Sequence, residues 1–210
     1  GVVEGTRIRE EFPISKGRLI GNNKRASPDW ADYVLQYRNV NLAVIEAKEE
    51  GSDYTKGVGQ AKDYAERLHV RYTYSSNGKK IYAMDMDKGT EGDINAYPTP
   101  DELWAMTFET ENTLRDCLIK TPFEDKSGSW EPRYYQDIAI KKSLEAISNN
   151  KSRLLLTLAT GTGKTAIAFQ IAWSLFHNNW NLQKDGKRKP RILFLTDRNF
   201  LANEAYNSFS

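Results

Sequence analysis

Asp32, Glu46 and Lys48 have the residue types and spacing that phosphodiester hydrolysis requires. Residues 31–37 and 42–47 read as two strands, and Arg38-Asn39-Val40 between them has turn character. If the turn centres on Asn39, Asp32 and Glu46 face each other, each lying seven positions from it. Facing side chains on antiparallel strands have Cβ atoms about 5 Å apart, close enough for both carboxylates to grip one divalent ion. Lys48 is two residues beyond Glu46 and so points to the same face. A metal held there polarises a phosphate and acidifies a water, while the lysine orients that water and offsets charge on phosphate oxygens. Mg²⁺ suits the oxygen ligands, and the Ala47 carbonyl offers a third oxygen. Gln60 and Tyr64, four residues apart on the following helix, share a face. The competing reading is a surface ion pair of Lys48 with Glu46 or Asp32. The apolar run 42–45 argues against it, because it sets the acids beside a core.

A second constellation is Leu158-Ala159-Thr160-Gly161-Thr162-Gly163-Lys164-Thr165, between an expected strand and an expected helix. Glycines let backbone N–H groups curl round a phosphate, and the helix N-terminus adds a positive dipole end. Lys164 is expected to reach the β- and γ-phosphates of ATP, with the Thr165 hydroxyl on Mg²⁺. The strict pattern places a glycine where this chain has Leu158. Upstream, Pro132-Arg133-Tyr134-Tyr135-Gln136 opens another helix.

These sites need elements to hold them. The chain has 210 residues, enough for one sizeable domain or two small ones. Residues 1–98 read as an α+β unit, with a helix over 60–68 and strands over 70–74 and 80–86. Residues 99–130 read as helices and a linker, with Thr99 as N-cap and Pro100 in the first turn. Residues 131–210 read as a helix over 132–149, strands over 153–158 and 191–196, a helix over 164–177 and a last helix from Phe200. That alternation is the pattern of a parallel α/β sheet. The absence of an initial methionine, and a close within an amphipathic pattern, suggest a piece of a longer chain.

Composition narrows the chemistry. One cysteine, Cys117, excludes an internal disulfide and a cysteine-based zinc site, and two histidines cannot build a histidine-rich one. Any metal here is therefore a hard ion on carboxylates. A net charge of +2 gives no global field toward nucleic acid, so contact with DNA would rest on local clusters such as Lys24-Arg25, Lys79-Lys80 and residues 184–191. No secretory or membrane-spanning run is visible, which suggests a cytoplasmic protein with no membrane partner.

Trp30-Ala31-Asp32-Tyr33-Val34-Leu35, Leu42-Ala43-Val44-Ile45-Glu46-Ala47-Lys48 and Gln60-Ala61-Lys62-Asp63-Tyr64-Ala65 resemble the nuclease domain of type I restriction subunits, of the PD-(D/E)xK class, with a Gln-x-x-x-Tyr element shared with RecB-type nucleases. The resemblance implies that Asp32 and Glu46 are metal ligands, Lys48 the catalytic lysine, and Gln60 and Tyr64 assistants in the site or at the DNA. The family also tends to carry an N-terminal glutamate; Glu4, Glu10 and Glu11 are present and none is assigned. The phosphate loop resembles motif I of superfamily 2 helicases and translocases, whose core is a RecA-like α/β domain. Gln136 then looks like the reader of the adenine edge. Ile192-Leu193-Phe194-Leu195-Thr196-Asp197-Arg198 is similar to motif Ia, implying that Arg198 touches the DNA backbone. Nuclease followed by motor implies a Mg²⁺-dependent endonuclease acting on double-stranded DNA, coupled to ATP-driven translocation and partnered by modification (methyltransferase) and specificity subunits. The acidic motif that completes ATP hydrolysis is not among these residues, so turnover of ATP by this piece alone is not expected. Two other readings stay open: a nuclease–helicase of recombination or repair, and a non-catalytic module docking DNA or partner proteins.

Overall fold

The structure, a computed structural model, describes residues 5–15, 28–124 and 131–196. Its contacts divide the chain into two units, Gly1–Glu111 and Asn112–Ser210.

The first unit is built on one six-stranded sheet in sequential order: β1 (Thr6–Ser15), β2 (Asp29–Tyr37), β3 (Val40–Ala47), β4 (Tyr72–Ser76), β5 (Ile81–Asp85) and β6 (Thr90–Ile94). Every neighbouring pair is antiparallel except β3 and β4. That parallel pair needs a crossover, supplied by a 3₁₀ turn at Tyr54–Gly57 and helix α1 (Val58–Leu68). α1 buries Ala61, Tyr64, Ala65 and Leu68, the i, i+3, i+4, i+7 stripe that its sequence predicts. Helix α2 (Pro100–Thr107) opens with Thr99 as N-cap, in a reciprocal capping box with Glu102. Its Leu103 and Trp104 pack with Tyr37, Leu42, Ala43, Tyr72 and Tyr74 in one apolar cluster.

Two strands escape the sequence pattern. β1 carries Pro13, tolerated because among the described residues β1 is an edge strand of the sheet. β6 (Thr-Glu-Gly-Asp-Ile) has little intrinsic strand preference and forms the opposite, largely solvent-exposed edge. β4 runs two residues past its expected end. Ser75 and Ser76 read as turn residues, yet both are buried, and their hydroxyls donate to the carbonyls of Tyr54 and Lys80.

In the second unit α3 (Thr113–Lys120), α4 (Tyr134–Ser148) and α5 (Lys164–His177) bury Leu118, Ile119, Ile140, Leu144, Ile167 and Leu175. Ser174 donates from α5 to the Leu118 carbonyl at 2.7 Å, and the Gln170 amide pairs with both backbone groups of Glu124. The segments 153–158 and 191–196, expected as parallel strands, carry no sheet pairing. Leu155, Leu193 and Leu195 are at least 80% exposed. Parallel strands are stable inside a sheet covered on both faces, and an isolated strand pair is marginal in water. The described part of this unit therefore presents the helices without the sheet. Cys117 is exposed rather than buried. The expected last helix from Phe200, Arg198 and the Lys24-Arg25 cluster lie outside the described residues.

Arg71 ties the first unit together. Its guanidinium, with only 9% of the side chain exposed, donates to both Asp85 oxygens at 3.0 Å, to the Met106 carbonyl at 3.0 Å and to Glu109 at 3.1 Å. Burial alone would raise the Asp85 carboxyl. Arg71 and the N–H groups of Lys88 and Asp87 outweigh it and hold that carboxyl below its ordinary range. A depressed carboxyl stabilises the fold above its unfolded pKa, and that contribution is lost as pH falls through the folded value. Arg71→Ala is expected to destabilise the protein by about 3 kcal/mol or more in denaturant titration, since it strands Asp85 without its partner. It should also flatten the loss of stability in acid below about pH 4.

Candidate functional site

The turn between β2 and β3 has two residues, Arg38 and Asn39, both left-handed at φ 49° and 63°. This is the geometry of a type I′ hairpin. Arg38 holds it through several contacts. Its N–H donates to the Gly5 carbonyl, and its guanidinium lies over the rings of Tyr37 and Trp104 and pairs with Asp101 at 3.5 Å.

The register follows from this turn and one irregularity. Tyr37 faces Val40 and Gln36 faces Asn41, but Leu35 faces Ala43, so Leu42 is an extra residue in β3. Without that bulge the two-residue turn would set Asp32 opposite Ile45 and turn Glu46 to the other face. With it, Val34 faces Val44 and Tyr33 faces Ile45, and the next pair along is Asp32 with Glu46. The opposition expected from a turn centred on Asn39 is reached, by a tighter turn plus a bulge. The bulged Leu42, 1% exposed, is anchored in the apolar cluster beneath α2.

Asp32 and Glu46 meet there in different environments. Asp32 is half-buried, and its Oδ2 accepts the Ala47 N–H at 2.7 Å. Glu46 is 2% exposed; its Oε1 accepts from Lys48 Nζ at 2.7 Å, and its Oε2 is buried with no hydrogen-bond partner. Burial pushes the Glu46 carboxyl above its ordinary range and the negative Asp32 adds to this, against the pull of Lys48. The backbone of Lys48 is fixed by its N–H donating to the Ser76 carbonyl at 2.7 Å. Gln60 and Tyr64 are brought together as well, with Gln60 Nε2 donating to the Tyr64 hydroxyl at 2.8 Å; Tyr64 is buried and Gln60 exposed.

Two further residues belong to this site. Gly57 closes over it, and a Cβ there would lie 2.9 Å from Glu46 Cγ and 2.9 Å from Lys48 Cε, and closer still to Ser75 Oγ. Ser75 sits beside Glu46 in the parallel β3–β4 register. Neither carries a local sequence signal, because both contacts arise from the crossover that brings distant segments together. Glu10 lies on β1 opposite Tyr33, and Glu11 is the next residue along. Among the described residues no group of three or more His, Cys, Asp or Glu side chains could hold a metal ion. The acidic donors at the hairpin are thus two carboxylates. They fit a Mg²⁺ ion that keeps several waters, and the unpaired Glu46 Oε2 is an oxygen that such an ion would satisfy.

In the second unit the loop 158–163 turns through Gly161 and Gly163, left-handed at φ 74° and 80°, into α5. Thr160 and Gly161 are exposed, and Thr165 stands on the first turn of α5. Lys164 Nζ donates to the carbonyls of Leu158 and Ala159 at 3.0 and 2.7 Å, and the Thr162 hydroxyl to Ala159 at 2.7 Å. Gln136, on the first turn of α4, is brought against this loop: its Nε2 donates to the Thr162 carbonyl at 2.9 Å.

Residues 4–99 match the family model of the type I restriction enzyme R protein N terminus, and residues 129–210 that of the type III restriction enzyme res subunit. The chain is similar to the type I restriction enzyme EcoAI endonuclease subunit of Escherichia coli, 36% identical over 97% of this chain and 26% of that protein. It is 24% identical to the EcoKI endonuclease subunit of E. coli strain K12, over 90% of this chain and 20% of the other. A solved fragment assigned to an HsdR subunit of a type I restriction enzyme from Vibrio vulnificus YJ016 superposes with a TM-score of 0.78 at 40% identity, covering 90% of this chain and 37% of that one. The chain thus spans about a quarter of the length of the curated relatives.

Ionising Glu46 works against the fold. A carboxyl with a raised folded pKa contributes stability that is full below its unfolded pKa and lost as pH rises through the folded value. Glu46→Gln, which removes the charge and keeps the shape, is therefore expected to raise the metal-free melting temperature at pH 7 by a few degrees. At pH 4, where Glu46 is largely protonated, the two proteins should melt nearly together. Equal melting at both pH values would show that burial of the charge is not unfavourable.

Proposed function

The chain belongs to the type I restriction enzyme R-subunit family, and from that premise we propose that it carries the subunit's DNA-cutting site, a Mg²⁺-dependent endonuclease for double-stranded DNA, followed by the first part of an ATP-driven translocase. In this reading residues 1–98 are a PD-(D/E)xK nuclease domain, 99–130 a connector, and 131–210 the start of a RecA-like motor domain. The observation that carries it is the hairpin face on which Asp32 opposes a buried, partly unpaired Glu46 with Lys48 2.7 Å away.

Asp32 Oδ1, Glu46 Oε2 and the Ala47 carbonyl would hold the ion. When bound, Mg²⁺ supplies positive charge at the scissile phosphate and acidifies a water. The Ala47 N–H orients Asp32, and burial restricts Glu46 to one arrangement. Lys48, whose ammonium lies 2.7 Å from Glu46 Oε1, would orient the attacking water and offset charge on the phosphate oxygens. Gly57 sets the start of α1 against Glu46 and Lys48, and Gln60 and Tyr64 of that helix are assigned to assist in the site or at the DNA.

In the second unit, backbone N–H groups around Thr160, Gly161, Thr162 and Gly163 would cradle the phosphates of ATP, with Lys164 on the outer phosphates and the Thr165 hydroxyl on Mg²⁺. Lys164 must first leave the carbonyls of Leu158 and Ala159. Arg198 is assigned to the DNA backbone. In the complete enzyme the partners are modification and specificity subunits, the latter choosing the DNA sequence. Among the described residues no helix is long and apolar enough to cross a membrane; a cytoplasmic setting is part of the proposal.

The test uses the full-length subunit assembled with its partner subunits. Asp32→Ala, Glu46→Ala and Lys48→Ala should each lower DNA cleavage about a hundredfold or more while ATP-dependent translocation continues. Cleavage that persists in these variants would sink the assignment. Millimolar Mg²⁺ should raise the melting temperature of the unsubstituted protein and not of Glu46→Ala, because an ion that binds only the folded state stabilises it.

A further inference from the structure

Gln136 contacts the phosphate loop directly. It lies on the first turn of α4 and is 6% exposed. Both ends of its amide are used by the protein. Oε1 accepts the Arg133 N–H at 2.9 Å, reaching back to the helix start, and Nε2 donates to the Thr162 carbonyl at 2.9 Å. The amide keeps a second lone pair and a second N–H, but on a side chain this buried little surface remains for an incoming ring.

An independent steric observation points the same way. A Cβ on Gly163 would lie 2.5 Å from Gln136 Nε2. Gly163 is left-handed, at φ 80°, and is the N-cap of α5, whose Ile167 N–H bonds its carbonyl. The glycine therefore does two things: it takes a backbone conformation that side chains resist, and it leaves room for the Gln136 amide to press against the loop. Both contacts fall on Thr162–Gly163, immediately before Lys164.

We propose that Gln136 is a positioning residue for the phosphate loop: it pins the Thr162 carbonyl outward, fixes the turn at Gly163, and so favours binding of a polyphosphate chain whatever base the nucleotide carries. This rests on reading residues 158–165 as a phosphate loop. Turning the Thr162 carbonyl toward the Gln136 amide keeps that oxygen away from the phosphate, where it would repel the anion, and frees the loop's N–H groups to face it.

The experiment measures binding of ATP, GTP and inorganic tripolyphosphate to the full-length subunit by calorimetry. Gln136→Ala and Gln136→Glu are compared with the unsubstituted protein; the glutamate keeps the acceptor for Arg133 but faces the Thr162 carbonyl with a second oxygen. The expected result is a parallel loss of about five- to tenfold for all three ligands, the worth of one hydrogen bond, with the ATP-to-GTP ratio unchanged. A fall in ATP affinity with tripolyphosphate unaffected would overturn the proposal in favour of base reading. Unchanged binding of all three would overturn it as well. Failure of the unsubstituted protein to bind tripolyphosphate would remove the phosphate-loop reading and the proposal together. Gly163→Ala provides a second arm, read first in the unsubstituted background. It should weaken tripolyphosphate binding, and less so in the Gln136→Ala background, where the clashing amide is gone. Strict additivity of the two changes would show that the residues do not act on each other.

Discussion

Placing a carboxylate in the interior, with one oxygen unpaired, is the constraint around which the first unit is organised. Glu46 is at 2% exposure with Oε2 unsatisfied, and an isolated buried charge is strongly unfavourable. Nothing about β3 alone would keep it there. The strand is held on one side by β2, whose Asp32 accepts from Ala47, and on the other by β4, whose Ser76 carbonyl receives the Lys48 N–H. Gly57 then brings the crossover to within van der Waals reach of Glu46 and Lys48. The apolar cluster on the other face, with Tyr74 and Leu103 almost wholly buried, supplies the packing energy that offsets this placement.

The bulge at Leu42 connects that core to the chemistry. An ordinary two-residue hairpin alternates faces without interruption, and here such alternation would separate Asp32 from Glu46. One extra residue corrects it, and it stays in place because its side chain is buried beneath α2. The register that opposes Asp32 to Glu46 is thus maintained by a hydrophobic contact on the opposite side of the sheet. Arg38 extends the same coupling: the left-handed turn it occupies is bonded to Gly5 and stacked on Tyr37 and Trp104. The hairpin tip, the edge before β1 and α2 therefore all bear on where two carboxylates stand.

Much of this was legible in the residues, and the failures have definite causes. The stripe of α1 and the Thr99 cap are local, so propensity and spacing suffice for them. The opposition of Asp32 and Glu46 came out right although the turn was taken one residue too long, because a bulge adds the same single residue that the longer turn would have supplied. β1 and β6 were missed because edge strands need not be apolar or regular. Gly57 and Ser75 were missed because their meaning lies in a parallel pairing between segments far apart in sequence. In the second unit the runs 153–158 and 191–196 have strand composition but no sheet pairing, since a strand's hydrogen bonds belong to its neighbours as much as to itself. Gln136 stands against the phosphate loop through a bond to Thr162 that could not be read from a helix start.

The two sites hold their polar groups in opposite ways, and this bears on what a ligand gains at each. At the hairpin an oxygen of Glu46 is left without a donor, so a cation that coordinates it relieves a penalty already present in the fold. At the phosphate loop the side-chain donors already have partners. Lys164 is bonded to the carbonyls of Leu158 and Ala159, the Thr162 hydroxyl to that same Ala159 carbonyl, and the Gln136 amide to the Thr162 carbonyl. A phosphate arriving there exchanges existing bonds for new ones, and only the difference contributes to affinity. The first arrangement favours a site that keeps its ion tightly. The second favours one that binds and releases its ligand repeatedly, with Gln136 and Gly163 holding the loop's shape while Lys164 changes partners. Under the proposed function, a cutting site that must be loaded and a motor site that must cycle call for those two different balances.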